Sequence, residues 1–176
     1  MTTKPTGFTL IELLVVVLII GILMALLFPA IASVLDSGKK AQAKNDVVQL
    51  ATAVVAYEAE YGRLPDTNSS AADVGGVWLL TLMGDTNNSN AASLNPRRID
   101  FITIPAKKNG KSGIDSNGIF RDPWNNPYRV AFDHDYDNRI QSAGDSPNSL
   151  TGSNLVKKVA IWNTNGNARR RVASWE

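Results

Sequence analysis

The chain has 176 residues, a formal net charge of +2 with the two signs well mixed, and no cysteine. This length supports one modest domain of about 100 to 150 residues beside a membrane helix. The balanced charge does not indicate a nucleic-acid partner, and the absence of cysteine excludes disulfides as a stabilising element. A bound metal is one alternative means of stabilising so small a domain.

An apolar segment begins shortly after the N-terminus. No charged side chain occurs from Leu13 to Leu35, and a helix of this run is about 34 Å long at ~1.5 Å per residue, enough to cross a bilayer. Glu12 stands where this segment begins, and an ionised carboxylate there is costly unless it meets a cation. Cleavage after Gly7 would supply one, because it frees an α-amino group on Phe8 at the same depth.

Two ordinary interpretations of the apolar segment stay open. The residues Ala30, Ile31 and Ala32 before Ser33 look like a signal-peptidase site, so the segment could be a secretory signal that is removed. It could also be an uncleaved signal anchor that holds an extracytoplasmic binding protein or enzyme. Neither interpretation explains the acid at position 12.

The helical pattern continues well beyond the apolar segment. Residues 1–7 form a polar leader with Lys4 as its cation, which places the leader on the cytoplasmic side of the membrane. Residues 8–35 form the membrane segment, and residues 36–176 are predicted to form the periplasmic domain. Apolar positions at spacings of three and four extend the helix to about Tyr61, so that its second half is one-faced.

The end of this helix and its weak points can be read from glycine and proline. Gly62 and Pro65 end the helix. Pro29 and Gly38 are the positions at which it is most easily interrupted. The prediction is one helix of roughly fifty residues that can serve both as membrane anchor and as filament core.

The segment after the long helix is rich in Asn, Ser, Asp and Gly. A short apolar run predicts a helix over Val77–Met83, capped by Asp73 and packed on the long helix through Trp78 and Leu82. The Asn-rich stretch Thr86–Asn95 is interpreted as a mobile loop.

The second half of the chain carries the predicted strands. Three β-type runs and one weaker run occur in the order Ile99–Ile104, Tyr128–Phe132, Val156–Trp162 and Arg171–Trp175. One long helix followed by strands predicts an α+β fold, in which a small antiparallel sheet lies against the helix.

One loop carries candidate ligand chemistry. Asp133, Asp135 and Asp137 alternate, Asn138 can take a positive φ, and the carbonyl of Arg139 could point inward, as in the first part of a calcium loop. Hard oxygen ligands favour calcium over zinc. The match is partial, because the position of the usual bidentate glutamate is taken by a glycine, and a solvated acidic turn is the alternative. The single histidine and the lack of a nucleophile-elbow motif argue against an enzyme.

Two stretches together resemble a known family. The run from Gly7 through Phe8 to Glu12, followed by Leu and Val, resembles the N-terminus of type IV pilins and of type II secretion pseudopilins. The block Arg121–Tyr128 is similar to the Asp-Pro-Trp-Gly-Asn-Pro-Tyr block of major pseudopilins, with Asn125 in place of the glycine. From the residues alone this block is a turn, in which Asp122 accepts backbone donors.

The resemblance implies a set of roles. A prepilin peptidase would cleave after Gly7 and methylate Phe8, and Glu12 would meet the terminal amine of a neighbouring subunit during assembly. The product would be a helical homo-oligomeric filament on the inner membrane, built with an assembly platform and minor pseudopilins. The expected role is protein export in type II secretion, and a type IV or DNA-uptake pilus is the alternative. Major pseudopilins of the family also hold calcium near their C-terminus.

Overall fold

The computed structural model describes residues 7–65, 72–140 and 155–175, except for the side chain at position 29. The chain divides into two compact units, Met1–Gly38 and Lys39–Glu176. Most of the leader lies outside the described residues. So do Gly144 and Asp145, the residues at and just after the last position of the calcium-loop pattern.

The long helix, α1, comprises 52 residues from Leu10 to Tyr61, in agreement with the prediction. It continues through positions 29 and 38 without interruption. It ends at Gly62, which takes a φ of 68° and whose N–H donates to the carbonyl of Glu58 at 2.7 Å. A glycine adopts this left-handed conformation without the steric cost that a Cβ atom adds.

The first unit consists mainly of the apolar part of α1. Within the described residues this is the one helix long and apolar enough to cross a membrane, and none of its most apolar window is buried by the protein. Its large side chains are exposed all round, for example Leu13 at 60% and Leu23 at 60%. A helix that is apolar on every face and unburied needs an apolar environment from outside the chain.

The second unit has its own core, to which α1 contributes one face. Val47, Leu50, Val54 and Tyr57 are fully buried at spacings of three and four. Trp78 and Leu82 join the same core, as predicted. The helix is therefore one-faced in this half because the rest of the unit packs on a single side of it.

The sheet that packs on this core is small and antiparallel. Strands β1 (Ala72–Asp73), β4 (Tyr128–Phe132) and β5 (Val159–Asn163) form one sheet in the order β1-β4-β5, and Val130 pairs with Ile161. Strands β2 (Gly113–Ile114) and β3 (Phe120–Arg121) form a separate pair. The arrangement is the predicted α+β fold.

Two predicted strands are wrong. Residues 99–104 are not a strand: the N–H groups of Phe101 and Ile102 both donate to the carbonyl of Leu82 at 2.9 and 3.3 Å, and the ring of Phe101 packs edge-on against Tyr57. The C-terminal segment forms a short 3-10 helix, Ala168–Arg170, followed by a single bridge to β5. In both segments the apolar residues that suggested a strand serve side-chain packing rather than strand pairing.

Residues 72–95 form more regular structure than their composition suggests. Helix α2 runs from Gly76 to Leu82, but Asp73 does not cap it, because Asp73 lies in β1 and the N-cap position is Gly75. The predicted mobile loop contains helix α3, Ser89–Leu94, and the side chain of Asn88 caps it by accepting from the N–H groups of Asn90 and Ala91. Asn and Ser favour helix starts for the same hydrogen-bonding reason that they favour loops.

Candidate functional site: the N-terminal carboxylate and the acidic loop

The start of α1 is closed by a reciprocal cap between Thr9 and Glu12. The Glu12 carboxylate accepts from the backbone N–H of Thr9 at 2.8 Å and from its hydroxyl at 2.7 Å. In return the N–H of Glu12 donates to the Thr9 hydroxyl at 3.3 Å. This is the capping-box arrangement of a threonine followed three residues later by a glutamate.

The cap adds a role for Thr9 that the sequence interpretation missed. The signal was present in the sequence, since a threonine three residues before a glutamate at the start of an apolar run is the capping-box pattern. Among the described residues of a single chain, Glu12 is thus paired with the neutral donors of Thr9 and not with a cation. Phe8 is 78% exposed, so the structure leaves the predicted new terminus accessible.

The acidic loop brings its three carboxylates together. Asp133, Asp135 and Asp137 each offer a carboxylate oxygen, and these oxygens all lie within 4.8 Å of one another. Asn138 takes a φ of 63°, as predicted, and its N–H donates to Asp133 at 2.8 Å. The N–H of Arg139 donates to Asp137 at 2.7 Å. The loop backbone therefore turns tightly around the carboxylates.

Asp133 differs from the other two acids in its surroundings. It is 2% exposed, and its second oxygen, Oδ1, has no hydrogen-bond partner among the described residues, whereas Asp135 and Asp137 are exposed. Burial raises the pKa of Asp133, and the nearby carboxylates of Asp135 and Asp137 raise it further. A buried carboxylate oxygen without a donor is costly, and a bound cation would satisfy it.

The turn in the block Arg121–Tyr128 is organised by a buried carboxylate. Asp122 is fully buried and accepts from the N–H groups of Trp124 at 2.9 Å and Asn126 at 2.8 Å. Its other oxygen accepts from the amide of Asn163 at 2.9 Å. The prediction that Asp122 binds backbone donors is confirmed, whereas the link to Asn163 in β5 was not predicted. These hydrogen bonds hold the turn and tie it to β5, which fits a structural role.

The same turn is tied to the helix and to the C-terminal segment. Tyr128 is buried, and its hydroxyl donates to Asp46 of α1 at 2.7 Å. Burial raises the pKa of Asp46, which the hydrogen bond from Tyr128 opposes. The guanidinium of Arg170 lies 5.5 Å from the centre of the Trp124 ring.

Comparison with known proteins gives a family match at the N-terminus. Residues 3–28 match the sequence family described as the prokaryotic N-terminal methylation motif. The matched range contains Gly7, Phe8, Thr9 and Glu12.

Longer similarities extend into the second unit. The type II secretion system core protein G of Aeromonas hydrophila is 27% identical over 127 residues, which cover 72% of this chain and 73% of that protein. The protein of the same name from Pseudomonas aeruginosa is 42% identical over 64 residues, 36% of this chain and 45% of that protein. The type IV major pilin PilA of Myxococcus xanthus is 32% identical over 126 residues, 68% of this chain and 56% of that protein.

The chain therefore aligns with less than half of the length of the Pseudomonas aeruginosa protein, and with about three quarters of the length of the Aeromonas hydrophila protein. No solved structure matches the chain.

Proposed function

Because the chain is a type IV pilin-like protein with an N-terminal methylation motif, we propose that it is a structural subunit of a type II secretion filament. It is cleaved after Gly7, methylated at Phe8 and polymerised through α1. The observation that carries this proposal is the acid at position 12 inside a matched methylation motif, at the start of an unburied apolar helix.

The proposed setting follows from the helix. The apolar part of α1 anchors the chain in the inner membrane, and the second unit lies on the periplasmic side. The partners are further copies of the chain, a prepilin peptidase, an assembly platform and minor pseudopilins. The role is structural and not enzymatic. The similarity to a Myxococcus xanthus pilin supports a surface or DNA-uptake pilus as the second candidate.

Processing is tested by the intact mass of protein extracted from membranes. We expect a chain that starts at N-methyl-Phe8. A chain that starts at Ser33 would instead identify the apolar segment as a removed secretory signal and refute the proposal. An unprocessed chain in a host that contains the peptidase would favour the signal anchor.

Assembly is tested at Glu12 with two variants that separate charge from capping. Glu12→Gln keeps an acceptor for the Thr9 donors, as glutamine does in capping boxes, but it cannot form an ion pair with an amine. Glu12→Ala loses both. If the neighbour's amine pairs with the carboxylate, both variants insert into the membrane and both fail to form filaments. Normal filaments from Glu12→Gln would show that only the cap matters.

We further propose that the acidic loop binds calcium. Calcium takes oxygen ligands at about 2.3–2.6 Å, so oxygens that lie within 4.8 Å of one another fit around one ion. The chain's ligands are the carboxylates of Asp133, Asp135 and Asp137, with the carbonyl of Arg139 as a fourth. The buried, unpartnered oxygen of Asp133 is the observation that supports a cation rather than a solvated turn.

Calcium binding is tested by unfolding of the full chain in detergent, followed by tryptophan fluorescence. A metal that binds the native state alone adds about 2.7 kcal/mol to stability when its free concentration is ~100-fold above Kd. We expect a midpoint that rises with millimolar calcium, rises less with magnesium and falls with chelator. Asp135→Ala abolishes the response, whereas the exposed control Asp100→Ala keeps it. An unchanged midpoint in wild type would identify a solvated acidic turn.

A further inference from the structure

Five lysines of the second unit occur in two segments that meet at Lys39 and Gly110. Lys39 and Lys40 are its first residues, and Lys107, Lys108 and Lys111 occupy a loop between Pro105 and Ile114. The Cε atom of Lys39 lies 3.9 Å from the position that a Cβ atom on Gly110 would take, so the loop rests against the start of this unit. We call these five residues the lysine cluster.

The loop that carries three of these lysines has a closed backbone. The N–H of Lys107 donates to the carbonyl of Ile114 at 2.8 Å, and the N–H of Ile114 donates to Pro105 at 3.0 Å. A Cβ atom on Gly113 would lie 2.6 Å from the backbone nitrogen of Lys107, so the two backbone segments are in close contact. The lysines are thus held by a folded loop and not by a loose one.

The side chains in the loop are used in two different ways. The ammonium group of Lys107 donates to the carbonyls of Lys108 at 3.3 Å and Lys111 at 2.6 Å, and this side chain is half-buried. Lys108 and Lys111 are exposed, as is Lys40 on α1. Lys107 therefore stabilises the loop, and the exposed Lys40, Lys108 and Lys111 are presented to the surroundings.

The fold brings like charges close together at this loop. Burial lowers the pKa of Lys107, the carboxylate of Asp122 opposes this, and the positive charges of Arg121 and Lys39 lower the pKa further. Ion pairs of this unit among the described residues include those of Arg97, Arg121, Arg129 and Lys158. Like charges at short range repel, so the cluster has its best partner in an external anion.

The position of the cluster along the chain indicates what that anion is. The uncharged apolar run ends at Leu35, and Lys39 follows four residues later with Asp36 as the one acid between them. Four residues span at most about 14 Å even when fully extended. Lys39 and Lys40 therefore lie within reach of the headgroups of whatever leaflet holds the end of the apolar run, and the loop lies against Lys39.

We propose that the lysine cluster binds the anionic phospholipid headgroups of the leaflet from which the second unit emerges. Ammonium groups form charge-assisted hydrogen bonds with phosphate oxygens. Each basic residue next to a membrane segment raises the binding constant for an anionic lipid surface by about fivefold. The inference rests on the membrane anchoring in the proposed function. In this proposal the lysine cluster is a surface that holds the second unit against the membrane before filament assembly.

The test uses the full chain in nanodiscs that each contain one copy. One set of discs contains phosphatidylcholine alone and the other is rich in phosphatidylglycerol. A water-soluble acylating reagent then labels accessible lysines, and peptide mass spectrometry gives a rate for each. We expect labelling of Lys40, Lys108 and Lys111 to slow by about fivefold in the anionic discs. High salt restores these rates, and the exposed Lys157 is labelled equally in both.

Two charge-matched variants separate the cluster from net charge. Lys108→Ala with Lys111→Ala removes two loop charges, and Lys157→Ala with Arg169→Ala removes two exposed charges elsewhere. The loop variant is expected to lose the salt-sensitive protection of Lys40, and the control variant to keep it. Equal tryptophan fluorescence spectra of the two variants show that both remain folded.

The outcomes are distinguishable from failure of the proposed function. Extraction of the chain by alkaline carbonate would show that α1 is not inserted, which refutes the anchoring and the inference together. An inserted chain with equal labelling in both kinds of disc refutes the inference alone. Protection that appears only when several chains share a disc or form a filament also overturns it, because a second copy then covers the cluster.

Discussion

Replacing Asp122 by alanine tests whether the block Arg121–Tyr128 is a structural turn. The carboxylate is fully buried and accepts three short hydrogen bonds, from Trp124, Asn126 and Asn163, at 2.8 to 2.9 Å. A hydrogen bond to a charged group contributes about 1.5 kcal/mol or more. Three such bonds give a loss of about 4 kcal/mol for Asp122→Ala, since release of the buried charge offsets part of the total.

The isosteric variant Asp122→Asn is expected to cost about half as much, ~2 kcal/mol. It keeps the oxygen that binds the two backbone N–H groups, but its new amide faces the amide of Asn163. Asn163 cannot turn over to accommodate it. Its own oxygen accepts from Val172 at 3.0 Å, and its nitrogen also donates to Arg170 at 3.0 Å. The bond from Asn163 at 2.9 Å and the longer bond from the Asn126 amide at 3.3 Å are therefore lost, and donors face one another.

The assay is urea unfolding of the full chain in detergent, followed by tryptophan fluorescence. All four tryptophans lie in the second unit, so the signal reports on that unit and not on the apolar part of α1. The control Asp100→Ala removes an exposed carboxylate and is expected to change stability by less than about 0.5 kcal/mol. A loss below about 1 kcal/mol for Asp122→Ala would refute the hydrogen-bond reasoning. Wild-type stability with failed filament assembly would assign the block a functional role.

Two further variants probe other buried polar groups. Asn95 is 1% exposed, and its side chain accepts from the hydroxyl of Tyr61 at 2.6 Å and makes three hydrogen bonds to backbone groups. We expect Asn95→Ala to lower the free energy of unfolding, measured in urea, by about 3 kcal/mol. The control Asn90→Ala changes an exposed side chain and is expected to leave the free energy of unfolding unchanged. The raised pKa of Asp46 means that its contribution to stability is complete below about pH 4 and is lost as pH rises through the folded-state value. Asp46→Asn, which still accepts from Tyr128, should therefore flatten the fall in stability as pH rises above about 4, and an identical pH profile for wild type and variant would contradict this.

The sequence by itself determined the features that depend on neighbouring residues. The uncharged run from Leu13 to Leu35 predicts a membrane-length helix without any tertiary information. Gly62 marks the end of helix α1 because a glycine adopts a positive φ without steric cost. The positive φ of Asn138 and the turn around Asp122 were predictable for the same reason. In each case the contacts that decide the conformation lie within a few residues.

The tertiary structure decided which apolar runs became strands. The run at residues 99–104 has strand-like residues, yet its backbone bonds to the end of α2 and its Phe101 ring packs on α1. Strand β1 has only two residues, and it exists because β4 provides a partner edge. A strand is stabilised by its neighbours, so its own sequence specifies it weakly.

Tertiary structure also brought together the groups that give the second unit its chemistry. Asp122 meets Asn163 across 41 positions of sequence, and Tyr128 meets Asp46 across 82. The loop that carries Lys107, Lys108 and Lys111 lies beside Lys39 in the same way, through Gly110. Local pattern and charge identify such residues as polar. Only the packing of distant segments decides which of them are buried, which are paired and which remain available to bind another molecule. The reason is that this packing sets both the solvent access of each side chain and its distance from other charged groups.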